Sequence, residues 1–214
     1  MTKQNKLASY VMTTDSGFAP NPFYGYCTLA ACTPNHRPYR IEPGNWIVGT
    51  STAGTGNKLI YAMHVSEVMD HDDYFRDKRF ARKKPTVNGS WRNRCGDNIY
   101  HRNRKGDWVS EACVHHIEAE ALTKDTQYSR VFIAREFYYF GDEMIEIPAE
   151  LQYIIHSTQG LKYVRDESKI EPFVEWLKTN YSEGLNGKPT HKESGKSCQP
   201  KATIPDCNRP TKRC

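Results

Sequence analysis

Apolar and polar positions along the chain form short runs rather than long periodic ones. Leu7–Thr13 (LASYVMT) is rich in strand formers and closes on polar residues, which predicts an opening strand. Pro43-Gly44-Asn45 predicts a turn into a strand over Trp46–Thr50. The glycine-containing stretch Ser51–Asn57 then leads to a returning strand within Lys58–Val68, making a hairpin with a long loop. Tyr128–Phe140, anchored by Val131, Ile133, Phe137 and Tyr139, is the clearest strand pattern, and a bend at Arg135-Glu136 lets it pair with itself. Ser168–Tyr181 is the clearest helix. Ile170, Phe173, Val174, Leu177 and Tyr181 share one face, Ser168 and Glu171 fit a capping box, and Pro172 falls in the first turn.

The remaining segments read differently. His71–Lys83 is polar, with Tyr74, Phe75 and Phe80 spaced for a short helix, and Lys84–Asp107 is mostly turn chemistry. Asp15–Cys27 (DSGFAPNPFYGYC) holds two prolines and two glycines, which exclude a regular helix, together with four aromatic rings. After Ser182 the chain becomes rich in Gly, Pro, Lys, Ser and Thr, which predicts a flexible basic tail over 183–214 following one domain over 1–182. Short strands with one strong late helix predict an α+β fold, a small curved and mostly antiparallel sheet with flanking helices.

Composition narrows this picture. The 214 residues suffice for one well-buried domain, and the 12% aromatic content argues against wholesale disorder. No stretch approaches the roughly 18 apolar residues that span a bilayer, and the first residues lack the apolar core of a signal peptide. A soluble cytoplasmic protein without a membrane partner is the expectation.

Charge changes it further. The formal net charge of +5 is unevenly spread: residues 76–105 carry 11 Lys/Arg against 2 Asp/Glu, whereas 106–182 carry 7 against 14. Such a block is the electrostatic footprint expected for a phosphate-bearing partner. The alternative is a solvated loop that pairs with the acidic stretch. Of the seven cysteines, Cys27 and Cys32 have a C-x4-C spacing that His101, His115 and His116 complete as a zinc site on paper. That spacing is wider than a zinc knuckle, and cysteine is among the most buried residue types, so no metal site is assigned.

Three constellations carry candidate chemistry. Asp15, Ser16 and Asn21 offer directional hydrogen bonds beside the rings of Phe23, Tyr24 and Tyr26, a combination suited to a planar base. Gly96-Asp97-Asn98-Ile99-Tyr100-His101 places acid/base types inside the basic block, with Asn98 and Tyr100 as further ligand contacts and Asp97 and His101 as acid/base candidates. His116, in the pair His115-His116, is a third acid/base candidate; Trp46 completes the expected ligand-binding set. Phosphate loop, dinucleotide fingerprint, zinc-protease, nucleophile-elbow and zinc-deaminase signatures are all missing, and the sequence leaves the cofactor unknown.

DSGFAPNPFYGYCTLA from Asp15, GNWIVGT from Gly44 and GDNIYH from Gly96 closely resemble the second nucleotide-modification-associated domain family, also labelled DNA base hypermodification proteins. The resemblance runs from about Leu7 to Tyr181, with Asn45 where that family's Gly-Asp-Trp pattern has Asp. It implies a place among phage and bacterial systems that handle modified nucleotides. The hairpin after Gly44 is also similar to that of PUA-like and EVE-like barrels that hold modified bases, a fold-level analogy that implies a partial barrel. The resulting expectation is a domain that binds a nucleotide or modified base in DNA modification or phage defence. The alternatives are an enzyme using Asp97, His101 or His116, and a protein-interaction scaffold.

Overall fold

The structure, a computed structural model, describes residues 6–31, 40–86, 88–113, 119–156 and 160–191. Its framework is a six-stranded mixed sheet. Strand β1 (Leu7–Val11) lies between β10 (Leu161–Val164), antiparallel to it, and β3 (Trp46–Thr50), parallel to it. The sheet continues through antiparallel β4 (Leu59–His64) and β9 (Phe137–Tyr139) to β11 (Gly184–Leu185), which is parallel to β9. The period of two assigns its faces. Ala8, Tyr10, Ile47, Tyr61, Met63 and Tyr139 turn to one side, while Leu7, Trp46, Val48, Leu59, Ala62 and Tyr138 turn to the other.

Both faces are covered, which explains why these strands read as nearly continuous apolar runs. On the second face lies helix α4 (Glu167–Asn180), burying Ile170, Phe173 and Leu177. Its cap is Asp166, not Ser168: the Asp166 carboxylate accepts from the Ser168 backbone N–H at 3.2 Å and from its hydroxyl at 2.6 Å. Pro172 therefore sits within the helix rather than in its first turn.

The first face is covered by an antiparallel three-stranded sheet, β2 (Cys27–Leu29), β8 (Val131–Ala134) and β5 (Glu67–Met69), in the order β2-β8-β5. Cys27, Leu29, Phe132 and Ala134 join the core against the large sheet. Ala30, Val131 and Ile133 meet Tyr74 and Phe80 on the outside, from helix α1 (His71–Arg76) and the 3₁₀ turns of Lys78–Lys83. A short helix α2 (Trp91–Arg94) and the hairpin β6 (Tyr100–Arg102)/β7 (Trp108–Ser110) follow, and helix α3 (Ala119–Thr126) precedes β8.

Three expectations change. The bend at Arg135-Glu136 is present, but β8 and β9 do not pair; it carries the chain from the small sheet to the large one, where each half has other partners. The large sheet is mixed, the smaller ones are antiparallel, and the described strands do not close into a barrel. Residues 183–191, expected in the flexible tail, belong to the fold: β11 pairs with β9, and Lys188 and Asp142 exchange hydrogen bonds of 2.7 Å from each backbone N–H. The rest of that tail lies outside the described residues, as do Cys32 and His116.

Gly49, beside the irregularity in the β3–β4 pairing, is required by space. A Cβ there would overlap the Tyr61 ring and the Met12 sulfur, both in the core. Gly49→Ala is expected to cost about 1–3 kcal/mol through overpacking, read as a lower midpoint in urea denaturation with an unchanged slope.

Candidate nucleic-acid interface

The segment 15–27 is held from below by buried polar groups. Lys83 is 1% exposed, and its ammonium donates to Asn21 Oδ1 at 2.7 Å, the Asn21 carbonyl at 2.9 Å and the Tyr26 carbonyl at 3.0 Å. All three of its hydrogens are thus engaged. Burial pushes the Lys83 pKa down to about 8, while the charge of Asp97 opposes that shift. Asn21 also donates to the Cys95 carbonyl at 2.7 Å. Phe80 and Lys83 are three apart in a 3₁₀ turn, where such residues eclipse, so the ring that enters the core brings the amine in with it.

Asp97, also 1% exposed, accepts from Thr28 Oγ1 at 2.6 Å and Tyr74 OH at 2.8 Å. Burial raises its pKa against the lowering effects of Lys83 and these hydrogen bonds. Asn98 donates to the carbonyls of Tyr74 and Phe80, each at 3.2 Å. Asp15 accepts from the Tyr139 hydroxyl and from the backbone N–H of Thr190 at 3.1 Å; its own N–H donates to His191 Nδ1 at 3.0 Å. Burial raises the Asp15 pKa despite those donors. Burial likewise pushes the Cys27 thiol up to about 12, so it stays protonated and a poor nucleophile near neutral pH.

The expected site residues therefore divide. Asp15, Asn21 and Asp97 lie in the interior and use their polar groups on the chain itself, as does Tyr100, whose hydroxyl donates to Asp125 at 2.8 Å; Asn98 is buried too, with its amide nitrogen engaged and its Oδ1 without a partner. Phe23 is buried with its edge toward Trp91, and Ser16 is half-buried with its carbonyl accepting from Cys95 Sγ. Trp46 packs on the opposite face of the large sheet, against the α4 side. His101 is separate from Asp97's surroundings: it stacks on Phe75 at 4.0 Å and places Nε2 2.9 Å from Glu111 Oε1. Tyr24 and Tyr26 alone of the first constellation's rings reach the surface, each partly exposed.

Around those two rings lies an arrangement that pattern reading registered only as charge. Arg82 sits 4.3 Å from the Tyr24 ring centre, Arg135 5.2 Å from Tyr26, Lys84 3.5 Å from Phe75, Arg92 5.5 Å from Trp91 and Arg102 4.2 Å from Trp108. These five cation–ring pairs are taken together as the band, and direct contacts link those at Tyr24 and Trp91. Tyr24 OH donates to Asn93 of α2, Phe23 bridges Tyr24 and Trp91, and Arg76 donates to the Arg102 carbonyl at 3.3 Å. Among the described residues, Arg82, Lys84, Arg92, Arg102 and Arg135 form no ion pair. Among the block's described Lys and Arg side chains, Arg76 and Arg79 are paired with acidic side chains, at Asp72, Asp77 and Glu67, so the described ion pairs do not tie those Lys and Arg side chains to the acidic stretch after it; His101 alone reaches that stretch among the described pairs, at Glu111.

Tyr24 has φ +62° and Gly25 φ +81°. A left-handed tyrosine is an uncommon and costly conformation, retained here where Arg82 and Asn93 hold the ring outward. Among the described residues no group of three or more His, Cys, Asp and Glu side chains is placed to hold a metal ion.

The geometry of this surface meets an independent finding: the family model for nucleotide modification associated domain 2 matches residues 4–196. The chain belongs to that family. No curated protein and no solved structure matches it, so the barrel analogy gains no structural neighbour.

Replacing Lys83 by Met takes a donor from three acceptors; the Asn21 carbonyl and Oδ1 keep the Thr28 and Phe23 backbone N–H groups, and the Tyr26 carbonyl left unpaired costs about 1–3 kcal/mol. The variant should lose about 1–3 kcal/mol in urea denaturation at neutral pH. Between about 8 and the ordinary value of 10.5 the unfolded wild type binds a proton that the folded state lacks, so wild-type stability gains with rising pH. The deficit of Lys83→Met relative to wild type should therefore widen across that window.

Proposed function

We propose that this protein binds nucleic acid, or a nucleotide within it, through the band of cations and rings around Tyr24, as part of a pathway of DNA modification or phage defence. The observation that carries the reading is the seating of five accessible or partly accessible cations over aromatic rings, with carboxylate partners lacking among the described residues. Phosphates supply the charge that such cations accept, and unstacked bases supply a flat surface for the rings. Family membership supports the nucleotide as the relevant chemistry. In this reading the buried polar groups below shape the loop, and Tyr24 and Tyr26 make the contact.

A second reading, chemical modification of a base, draws on His101. Its pairing with Glu111 and its stack on Phe75, beneath Lys84, set an acid/base group beside the same band. Mass spectrometry of DNA and nucleotides incubated with the protein tests it: conversion lost in His101→Ala supports modification, and unchanged substrates across a broad panel reject it.

Fluorescence anisotropy with a labelled single-stranded oligonucleotide tests the primary reading. Affinity should fall steeply between about 50 and 200 mM salt, and Arg82→Glu/Arg92→Glu should bind at least about tenfold more weakly with a shallower salt slope. Tyr24→Gly removes a stacking ring while relieving the left-handed backbone. It should retain stability yet lose about 1–3 kcal/mol of binding. Absence of binding at low salt, or equal binding by all variants, overturns the proposal.

A further inference from the structure

On the α4 side of the large sheet, away from the band, a groove of about 460 Å³ runs between the helix and the end of the β3–β4 hairpin. That size falls in the range of small-molecule sites. Its floor is a cross-strand pair: Trp46 and His64 are register partners, stacked with ring centres 4.9 Å apart and planes 11° from parallel. Ile170 and Val174 form the apolar wall, and Glu171 and Glu175, one turn apart on α4, line the same space.

The polar side of this groove is preset. His64 Nδ1 lies 2.8 Å from Glu136 Oε2, and Lys178 Nζ lies 2.7 Å from the other oxygen of that carboxylate. Burial opposes ionisation of Glu136, but the hydrogen bonds from Lys178 and His64 outweigh it and hold the carboxyl below its ordinary value. An ionised Glu136 requires a proton on His64 Nδ1, so in the neutral ring Nε2 presents a lone pair. Among the described residues nothing hydrogen-bonds His64 Nε2, and neither Glu171 nor Glu175 forms an ion pair. Lys178, the cation lining the groove, is already paired with Glu136. The unengaged acceptors therefore include one aromatic nitrogen and two carboxylates beside flat and apolar surfaces, and the Thr179 hydroxyl lines the same space.

We propose that this groove is a binding site for a small planar heterocycle bearing exocyclic amino groups, which packs against Trp46, His64 and Val174 and donates to His64 Nε2, Glu171 and Glu175. The site does not rest on the proposed nucleic-acid interface. A phosphate or carboxylate ligand is disfavoured there because the two free carboxylates would repel it.

Isothermal titration of the full chain with 2,6-diaminopurine, adenine and unsubstituted purine tests the inference. The two amino-bearing rings should bind saturably, with purine at least about tenfold weaker, because it has the same ring without exocyclic donors. Glu171→Lys/Glu175→Lys changes only exposed helix positions and should weaken 2,6-diaminopurine at least about tenfold. His64→Phe keeps a ring against Trp46 while deleting Nε2, and should also weaken it. Arg82→Glu/Arg92→Glu should leave this binding unchanged, which separates the groove from the band. The inference is overturned if 2,6-diaminopurine fails to bind at millimolar concentration, if purine binds equally well, or if the groove variants bind like wild type.

Discussion

One buried ammonium organises the irregular part of this molecule. Lys83 reaches beneath segment 15–27 and binds it at Asn21 and Tyr26, residues on either side of the left-handed Tyr24. A loop with two prolines and no regular strand or helix has few backbone partners of its own, so fixed donors must come from elsewhere. The amine provides three at once, and its charge is balanced nearby by Asp97 without direct ion-pair contact among the described residues. Removing a hydrogen-bonded ion from such an environment costs much more than forming a surface ion pair gains. The anchoring therefore fixes geometry, and Tyr24 and Tyr26 are displayed by a rigid base.

Layering explains how two chemically distinct surfaces coexist in one small domain. Helix α4, the six-stranded sheet, the three-stranded sheet and the α1 segment stack in that order, with apolar side chains filling each interval. The outer layer gathers the cations of the central block, whereas α4 contributes acidic side chains to the groove by Trp46. The ring-seated cations and the groove's free carboxylates thus lie on separate layers. In sequence the two blocks are adjacent, and a pattern reading naturally offered mutual neutralisation; the fold separates their roles instead.

Regular elements were legible where one periodicity dominated. The apolar face of α4 and the β3–β4 hairpin follow directly from spacing, since helical and alternating periods expose different sets of residues. Sheet membership was not legible, because β8 and β9 have similar patterns yet are divided by a two-residue bend. At the site, the aromatic character of Tyr24 and Tyr26 was visible. The inward direction of Asp15, Asn21, Asp97 and Asn98 was not: short polar side chains have the same sequence signature whether they meet a ligand or a backbone carbonyl. Lys83 was hidden among ten other basic residues, with only its three-residue offset from Phe80 marking it as different. His64 gave still less signal, because its neighbours Glu136 and Lys178 are distant in sequence and meet only through the sheet and helix.

The closure of Thr190 and His191 over Asp15 has a consequence for biosynthesis. These partners are separated by 175 and 176 positions along the chain. During translation Asp15 emerges long before the groups that satisfy it, so the segment around it must remain provisional until Thr190 and His191 have left the ribosome. Vectorial emergence can nucleate the β3–β4 hairpin, but the final locking of this loop necessarily follows synthesis of the chain up to Thr190.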